Sequence, residues 1–499
     1  MSETMVVRSG TVRIPDPVRA PPSPASSKAG FFATPDEHHA AGLPRTSTLD
    51  TSLQKDDKVS RREKRDSRTR EFSCYWAMFI AGWSDASSGP LIPYIQAHYG
   101  LTYSVVSLLF LGFMAGYLAA AILCPPLTAR FGIGKVIVLG ACFQAIGFGL
   151  LIAAFPFPLF PVLFATAGFG VAFQSANSNV FFATLPKAEK RLSFLHGVYG
   201  LGGAVCPLAA TAFASSGILF SRFYAISLGM SVINIAVLTY AFKFNYRTEG
   251  VDAVSTATSS EATRTEPEHG LELNAIGSAA ALEPRSGETS GETHAGAAAP
   301  IKTGGWNSTS MRAARHRITW TCAPFIMLYV GAEVSMGGWI VTFLMENRSG
   351  GADAGYVATG FWLGIMVGRI ISIPLNLRVG EKRIIYLYII AALALEFAIW
   401  FSDSLIGNAV VVALVGVLIG PVYPIVVSIA TKVLPRHLQT GSISIIAAIG
   451  QVGSASMPFI TGVLAQRFSP VVLHPVMIVC FALMLVIWWF VPDVPRKEE

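Results

Sequence analysis

Long apolar runs are the feature that most restricts what this 499-residue chain can fold into. They fall into two blocks, 72–244 and 314–492, and each block breaks into six runs. Each run has roughly the 17–25 residues that an α-helix needs to cross about 30 Å of hydrocarbon. Lipid offers no hydrogen-bond partners, so such runs must be helices or barrel strands, and they lack the alternating pattern of barrel strands. The sequence therefore predicts an all-α membrane protein with twelve transmembrane helices in two six-helix bundles.

The twelve predicted spans are numbered in chain order. They are 73–95, 104–125, 135–155, 158–182, 193–213 and 222–243 in the first half, and 319–344, 355–377, 383–401, 408–430, 442–464 and 472–491 in the second. Composition agrees with this assignment, because only 13% of residues are charged, against about 25% in soluble domains. The six cysteines form no C-x-x-C pair, so we expect neither a disulfide framework nor a metal site.

Polar segments flank and separate the two apolar blocks. We expect residues 1–71 to be a disordered cytosolic tail, because they have too little apolar surface to offset the entropy of ordering. We expect 245–313 to be a cytosolic linker and 493–499 a short cytosolic tail. No apolar region follows Met1, so no cleavable signal peptide is predicted. The domains are then the bundles 72–244 and 314–492.

Basic residues in the short connections are distributed unevenly between the two sides of the predicted bundles. One side has twelve of them, including Arg130 and Arg378, whereas the other has only Arg222, Arg348 and Arg467. Cytosolic loops of membrane proteins collect Lys and Arg, so we expect the first side and both termini to be cytosolic. The net charge of +7 then follows from topology and implies no nucleic-acid partner. In the absence of a recognised retention signal, we expect the plasma membrane.

The two blocks carry the same pattern at an offset of 248 residues. The matches run through the first two spans of each half and the loop that follows them. The matching pairs include Asp85 with Glu333, Ser87 with Ser335, Gly89 with Gly337, Gly116 with Gly364 and Arg130 with Arg378. Such self-similarity indicates a duplicated unit. Six helices per unit start both copies on the same side, so the halves are related by an axis along the membrane normal.

Two six-helix halves joined by a long loop resemble the major facilitator superfamily. Its loop motif after the second helix, roughly G-x-x-x-D-R-x-G-R-K, is partly present in 129–135. The stretches 82–93, 196–200 and 333–339 are similar to fungal members of the fucose-permease-like branch. The resemblance implies an acid on span 1, which Asp85 matches. It also implies a second acid on span 4, where residues 173–177 read Phe-Gln-Ser-Ala-Asn with no carboxylate.

Two acids are predicted to lie deep in the membrane. Asp85 lies about a dozen residues into span 1, near 20 Å deep at about 1.5 Å per residue, and Glu333 lies at the matching depth of span 7. A carboxylate there is costly unless it is protonated, paired or hydrated. A carboxyl that is dry in one state and reaches water in another can carry a proton. We therefore predict proton coupling at Asp85 and, second, at Glu333; the alternative is that each acid bonds a neighbouring helix.

Six further residues are candidates for lining a substrate cavity. On span 4, Gln174 and Asn177 share one helical face, and such amides either line a cavity or join helices. On span 5, His196 and Tyr199 share a face, with packing as the alternative for His196. Trp339 of span 7 could stack on a ligand ring, although ordinary packing is the commoner role, and Gln451 of span 11 mirrors span 5.

Other charged residues have weaker predictions. The family resemblance implies that Arg130 and Arg378 form a gate latch in equivalent cytosolic loops; the alternative is topology alone. Arg369 of span 8 is expected to reach the interface or pair with an acid. Glu396, near the outer end of span 9, is expected to be in contact with water. The sequon at Asn347 lies so near the membrane that we do not expect glycosylation.

These features together favour a secondary active transporter that moves a small organic solute by alternating access, coupled to protons. The missing span-4 acid and Trp339 favour export of a less polar metabolite or toxin. The alternative is proton-coupled uptake of a sugar-like nutrient, and a transporter-like sensor is a more distant one. There is no Walker-type phosphate loop, and we expect no enzyme activity and no cofactor. The expected partners are the solute, protons and lipid, with the chain as a monomer.

Overall fold

The fold is described from a computed structural model. The structure describes residues 47–244, 246 and 308–492, and these residues form helices and short connections with no β-strand. The all-α prediction is therefore confirmed. The remainder of the predicted tails and of the predicted linker lies outside the described residues. The chain divides into two compact units, Met1–Arg61 and Arg62–Glu499, and the second contains every residue discussed below.

Each predicted span corresponds to a helical passage. In the first half these are Ser47–Ala86 with Ser88–Tyr99, Tyr103–Val106 with Leu108–Phe131, Ile133–Leu151, Phe160–Ala183, Ala188–Ser215 and Tyr224–Phe242. In the second half they are Arg317–Asn347, Tyr356–Val379, Glu381–Phe401, Leu405–Ile419 with Val422–Val433, Arg436–Phe468 and Leu473–Trp489. Short 3₁₀ turns precede spans 4, 6, 8 and 12 at Phe157–Leu159, Phe220–Phe223, Ala352–Gly355 and Pro470–Val472. Within the described chain, eleven helices are long and apolar enough to cross a membrane, and the interrupted span 1 completes the twelve.

Helix extends further into the polar segments than the sequence suggested. The first helix begins at Ser47 rather than near residue 72, and the helix Ser308–Arg315 precedes span 7 within the predicted linker. Both stretches contain Arg and other residues with good helix propensity, and each continues toward a membrane span. The disorder and linker predictions were made from polarity, which does not oppose helix formation.

The duplication is visible in the helix contacts. Gly116 of span 2 packs so closely on the Ala165 carbonyl of span 4 that a side chain would overlap it. In the second half, Gly364 of span 8 packs in the same way on the Ala413 carbonyl of span 10. Both members of this contact recur at the offset of 248 residues, so the repeat extends into the fourth helix of each half.

The two halves meet at the end opposite the loops that contain Arg130 and Arg378. There the Tyr103 hydroxyl donates to Glu346, the Tyr103 amide N–H donates to Gln466 at 3.0 Å, and the Phe110 ring packs on Trp339. The main buried core includes residues from both halves, such as Trp83 and Trp362. The structure is therefore closed at this end, which is the predicted outer end.

Candidate functional site

Asp85 lies where the helix of span 1 is interrupted. Only Ser87 separates the helices Ser47–Ala86 and Ser88–Tyr99, and its backbone angles remain helical. Its N–H and its hydroxyl both donate to the Ser84 carbonyl, at 3.3 and 2.7 Å, so the regular hydrogen-bond pattern is broken at this one residue. Asp85 is half-buried between two buried neighbours. The Tyr199 hydroxyl of span 5 donates to Asp85 Oδ2 at 2.5 Å. Two residues predicted for the site, from different helices, are thus in direct contact.

Glu333 has a different environment on the uninterrupted helix of span 7. Its Oε1 lies 3.7 Å from Arg369 Nη2 of span 8, so the predicted pairing of Arg369 with an acid is present. The Arg369 Nε also donates to the Gly420 carbonyl of span 10 at 3.2 Å. That carbonyl has no helical donor four residues later, because Pro424 lacks an N–H. Arg369 therefore binds both a carboxylate and a backbone carbonyl at the interruption of span 10.

Asp85 and Glu333 lie on either side of the axis that relates the halves. One turn after each acid comes a glycine, and Gly89 and Gly337 contact each other so closely that a side chain on Gly89 would overlap the Gly337 carbonyl. Equivalent residues of two related copies can meet only near their axis. The two acids accordingly lie within electrostatic range of each other. The side chain of Glu333 is 8% exposed and that of Arg369 is 16% exposed.

Tyrosines that the sequence analysis did not identify complete this central region. The rings of Tyr329 and Tyr423 lie 6.3 Å apart, and Tyr117 lies within electrostatic range of both Asp85 and Tyr423. The buried Tyr329 hydroxyl makes no well-formed hydrogen bond among the described residues, but it lies within interaction distance of the Glu333 carboxylate and the Arg369 guanidinium. Tyr329 precedes Glu333 by one helical turn, and this spacing alone could have identified it from the sequence as a neighbour of the acid. Nothing in the sequence identifies Tyr117 or Tyr423, because a single tyrosine in an apolar helix is usual.

His196 belongs to the same region, whereas no metal site does. His196 is half-buried, one turn before Tyr199, and within electrostatic range of Arg369. Among the described residues, no group of three His, Cys, Asp or Glu side chains could hold a metal ion.

The two amides of span 4 lie inside the first half. Gln174 donates to Gln144 at 2.9 Å and accepts from Asn234 at 2.5 Å, while its side chain is buried. Asn177 donates to the Phe173 carbonyl at 2.8 Å and accepts from Thr128 at 3.1 Å. These bonds join span 4 to spans 2, 3 and 6. The geometry favours the helix-joining alternative, and a substrate-binding role for either amide stays a prediction.

Trp339 and Gln451 also have partners within the protein. The Trp339 indole is 1% exposed and donates to the Pro458 carbonyl of span 11 at 2.9 Å. The half-buried Gln451 accepts from Ser454 of its own helix at 3.2 Å. Trp339 therefore packs at the closed end where Tyr103 contacts Glu346, away from the Asp85–Tyr199 contact.

Arg130 and Arg378 occupy equivalent positions at the ends of spans 2 and 8. Each precedes by two residues a glycine with positive φ, 84° at Gly132 and 93° at Gly380, where the chain turns into the next span. Arg378 is exposed, and the Arg130 guanidinium lies 5.4 Å from the centre of the Phe131 ring. A gating role for this pair stays a prediction.

Glu396 is the residue for which the sequence expectation was wrong. It is 0% exposed instead of in contact with water, and its Oε2 lies 2.9 Å from Nδ1 of the equally buried His474 of span 12. Span 12 covers this part of span 9. The expectation rested on the position of Glu396 near the end of span 9, and position along one helix does not reveal which other helix packs against it.

Comparison with known proteins gives consistent results. The family model described as Major Facilitator Superfamily matches residues 74–441 and 325–499. "Bypass of stop codon protein 6" of Saccharomyces cerevisiae is 24% identical over 86% of this chain and 83% of that protein. A "Glucose/galactose transporter" of Brucella abortus is 25% identical over 81% of this chain and 89% of its own length.

Two solved structures are similar in fold. The E. coli fucose:proton symporter has a TM-score of 0.54 at 16% identity, covering 85% of this chain and 98% of that one. A D-xylose-proton symporter has a TM-score of 0.62 at 12% identity, covering 86% and 99%. The twelve spans, the repeat and the family match lead to one conclusion: this chain is a multi-pass membrane protein that belongs to the major facilitator superfamily, whose members are transporters and not enzymes.

Proposed function

We propose that this protein is a proton-coupled secondary transporter of a small, uncharged organic solute, with Asp85 as the residue that carries the proton. The proposal rests on the hydrogen bond that Asp85 accepts from the neutral Tyr199. Within the described chain, Asp85 has no ion pair with a cation. Glu333 instead has Arg369 at 3.7 Å.

The difference between a neutral and a cationic partner determines which of the two acids can be protonated at the smaller free-energy cost. A partly buried carboxylate without a counter-cation can be protonated at low cost, because a hydrogen bond from a neutral hydroxyl stabilises its ion less than an ion pair would. A carboxylate paired with Arg is stabilised as an ion, and its protonation would leave a buried guanidinium unpaired. Asp85 is therefore the proton carrier, and Glu333 keeps Arg369 in place.

The charge balance of the site favours an uncharged solute. With Asp85 protonated, the remaining charges are the Glu333 carboxylate and the Arg369 guanidinium, which balance. A charged solute would then enter a partly dry site without a counter-ion. The Tyr329 hydroxyl, which lies beside Glu333 and Arg369, offers a donor or acceptor to a hydroxyl-bearing solute. Tyr423 offers an aromatic face for its apolar side.

Uptake is the direction that these observations favour. Export had been inferred partly from Trp339, and this residue packs at the closed outer end. The similar proteins with descriptive names include a glucose/galactose transporter, two sugar–proton symporters and, over 40% of this chain, a gallate transporter. Export remains the second candidate, because the absence of an acid on span 4 distinguishes this chain from the fucose-permease pattern.

The test uses the full chain in liposomes with an imposed pH gradient. Labelled galactose, glucose, fucose and xylose serve as probes, and an untargeted solute comparison of cells with and without the chain supplies others. We expect accumulation driven by the pH gradient and none from a Na⁺ gradient alone. Asp85→Asn should abolish accumulation and retain exchange of internal for external solute. Accumulation by Asp85→Asn with an unchanged pH profile would rule out Asp85 as the carrier.

The orientation and location of the protein belong to the same proposal. We propose cytosolic termini, from the basic loops, the plasma membrane as the location, and function as a monomer. The end closed by the contacts of Tyr103 is then the outer end. Protease accessibility of a tag at residue 1 in sealed right-side-out vesicles tests the orientation, and cleavage of the tag from outside would reverse it.

A further inference from the structure

The chain makes a sharp corner where it enters the second half. The helix Ser308–Arg315, which we call the corner helix, ends at His316, whose extended backbone turns the chain into span 7. Ala313 of the corner helix is 0% exposed, and the helix packs against span 11. Span 1 enters the first half differently, as an unbroken helix. The corner thus breaks the symmetry of the repeat.

Side chains of span 7 hold this corner in shape. The Thr319 hydroxyl donates to the Ala313 carbonyl at 2.9 Å and lies 3.0 Å from the Ser442 hydroxyl of span 11. The Trp320 indole donates to the Ala314 carbonyl at 2.5 Å. Two of the carbonyls that the corner helix leaves unpaired at its C-terminus are therefore bonded. The corner is a built structure and not a loose end of the linker.

Three exposed arginines surround the corner at the level where the apolar span begins. They are Arg312, Arg315 and Arg317. Trp320, 56% exposed, lies one turn further along. No ion pair found among the described residues involves any of the three arginines. An exposed indole beside basic side chains at a span end is typical of the level of the lipid headgroups.

Helix electrostatics explain only part of this arrangement. Arg312 and Arg315 occupy the last turn of the corner helix, where a cation is favoured by the helix dipole. Arg317 is the first residue of span 7, where the dipole disfavours a cation. The helix dipole therefore does not stabilise Arg317, and no ion pair among the described residues involves it.

We propose that the corner formed by Arg312, Arg315, Arg317 and Trp320 is a binding site for the phosphate-bearing headgroup of an anionic phospholipid. The guanidinium groups bind phosphate oxygens in pairs, and the indole packs at the acyl–headgroup boundary. Anionic lipids are concentrated in the cytosolic leaflet, on the side where the basic loops place this corner. The bound headgroup supplies the negative charge that Arg317 lacks.

The experiment measures lipid binding by the purified full chain in neutral detergent. Phosphatidylserine, phosphatidylcholine and inorganic phosphate are added separately, and the rise in thermal unfolding temperature and the lipids retained in native mass spectra are recorded. We expect phosphatidylserine to bind and to raise the unfolding temperature, with no rise from the other two. The triple variant Arg312→Gln, Arg315→Gln, Arg317→Gln should bind at least tenfold more weakly. The corresponding triple Lys variant should lose less, since it keeps the charge without the guanidinium fork.

Two controls keep the result specific. Lys135→Gln, Lys187→Gln and Lys190→Gln remove three exposed charges from loops on the same side, and this variant should bind as the wild type does. Thr319 and Trp320 are untouched in every variant, so the corner keeps its bonds, and solute transport in neutral liposomes should persist. Equal loss of binding in the control, unchanged binding in the Gln variant, or an equal response to inorganic phosphate would each overturn the site.

Discussion

The contact of Gly116 with the Ala165 carbonyl in the first half and that of Gly364 with Ala413 in the second are one packing arrangement made twice. The central acids show no such agreement. Asp85 accepts a hydrogen bond from the neutral Tyr199 and lies near the break at Ser87. Glu333 lies on an unbroken helix and is paired with the Arg369 cation. The duplicated scaffold thus retained its backbone contacts while the two sites acquired different chemistry.

The fourth helix of each half extends this comparison. Gln174 and Asn177 bond to neighbouring helices in the first half, but the equivalent residues are Val422 and Ile425, both buried and apolar. Span 4 is unbroken, while span 10 is interrupted next to Gly420 and bonded there by Arg369. Side-chain hydrogen bonds therefore hold span 4 against its neighbours in the same bundle. Span 10 is instead bonded to Arg369 of the central site through the Gly420 carbonyl.

Among variants that leave both acids in place, Gly89→Ala should have the largest effect on transport, because it disrupts the contact at the axis. Its methyl group would overlap the Gly337 carbonyl in the closed outer end but not once the halves separate there. Overpacking of this kind costs up to about 3 kcal/mol, which is about a hundredfold in the population of the closed state. We expect net transport in liposomes to fall by about that factor, with solute binding from the outer side preserved.

Two matched glycine variants refine this prediction. Gly229→Ala in span 6 has open space around it and should transport normally. Gly337→Ala meets the Trp362 ring at 3.1 Å, and a ring can shift where a backbone carbonyl cannot, so a smaller loss is expected. Wild-type transport by Gly89→Ala would show that the halves do not close through this contact.

Glu333→Gln should destabilise the protein more than Asp85→Asn does. It leaves the Arg369 guanidinium without its carboxylate, and breaking a buried ion pair in this way costs about 3–5 kcal/mol. Asn at position 85 still accepts from Tyr199, so its cost should be below about 1 kcal/mol. Thermal unfolding in detergent measures both, and adding Arg369→Gln to Glu333→Gln should recover part of the loss. Equal unfolding temperatures for the two single variants would contradict the assigned difference.

The sequence predicted the fold well, because span length and the positions of charges act locally along the chain. Hydropathy located twelve spans, and the offset of 248 residues located Asp85 opposite Glu333. The sequence could not predict which polar side chain bonds to which. The Gln174 bond to Asn234 joins residues 60 positions apart, and the Glu396 bond to His474 joins residues 78 apart. Such pairings depend on how helices are arranged around each other, which one sequence does not record.

Gln174→Leu tests whether the span-4 amide joins helices or binds solute. The substitution leaves a Gln144 oxygen and an Asn234 amide buried without their partner, at about 1–3 kcal/mol of unfolding free energy for each group. We expect reduced thermal stability with an unchanged KM for the transported solute. Gln451→Leu is the comparison, since the side-chain partner of Gln451 among the described residues, Ser454, is on its own helix, and the stability of this variant should change less. A raised KM for Gln174→Leu at unchanged stability would instead place this amide in the substrate site.

Glu396→Gln should have the smallest effect, although the pair it alters is fully buried like the groups around Gln174. The reason is the partner. Arg369 cannot lose its proton, so the loss of Glu333 leaves an unpaired charge, whereas a neutral imidazole needs no counter-ion and can share a hydrogen bond with an amide. We expect a loss below about 1 kcal/mol in unfolding free energy, measured by thermal unfolding, and a larger one for Glu396→Leu, which leaves the imidazole without this partner.

The equivalent residue of the first half, Phe148, is buried and apolar, so the pair is not a requirement of the scaffold. A severe loss with Glu396→Gln would show that His474 is charged, and that the second half contains a second ion pair as costly to break as Glu333 with Arg369.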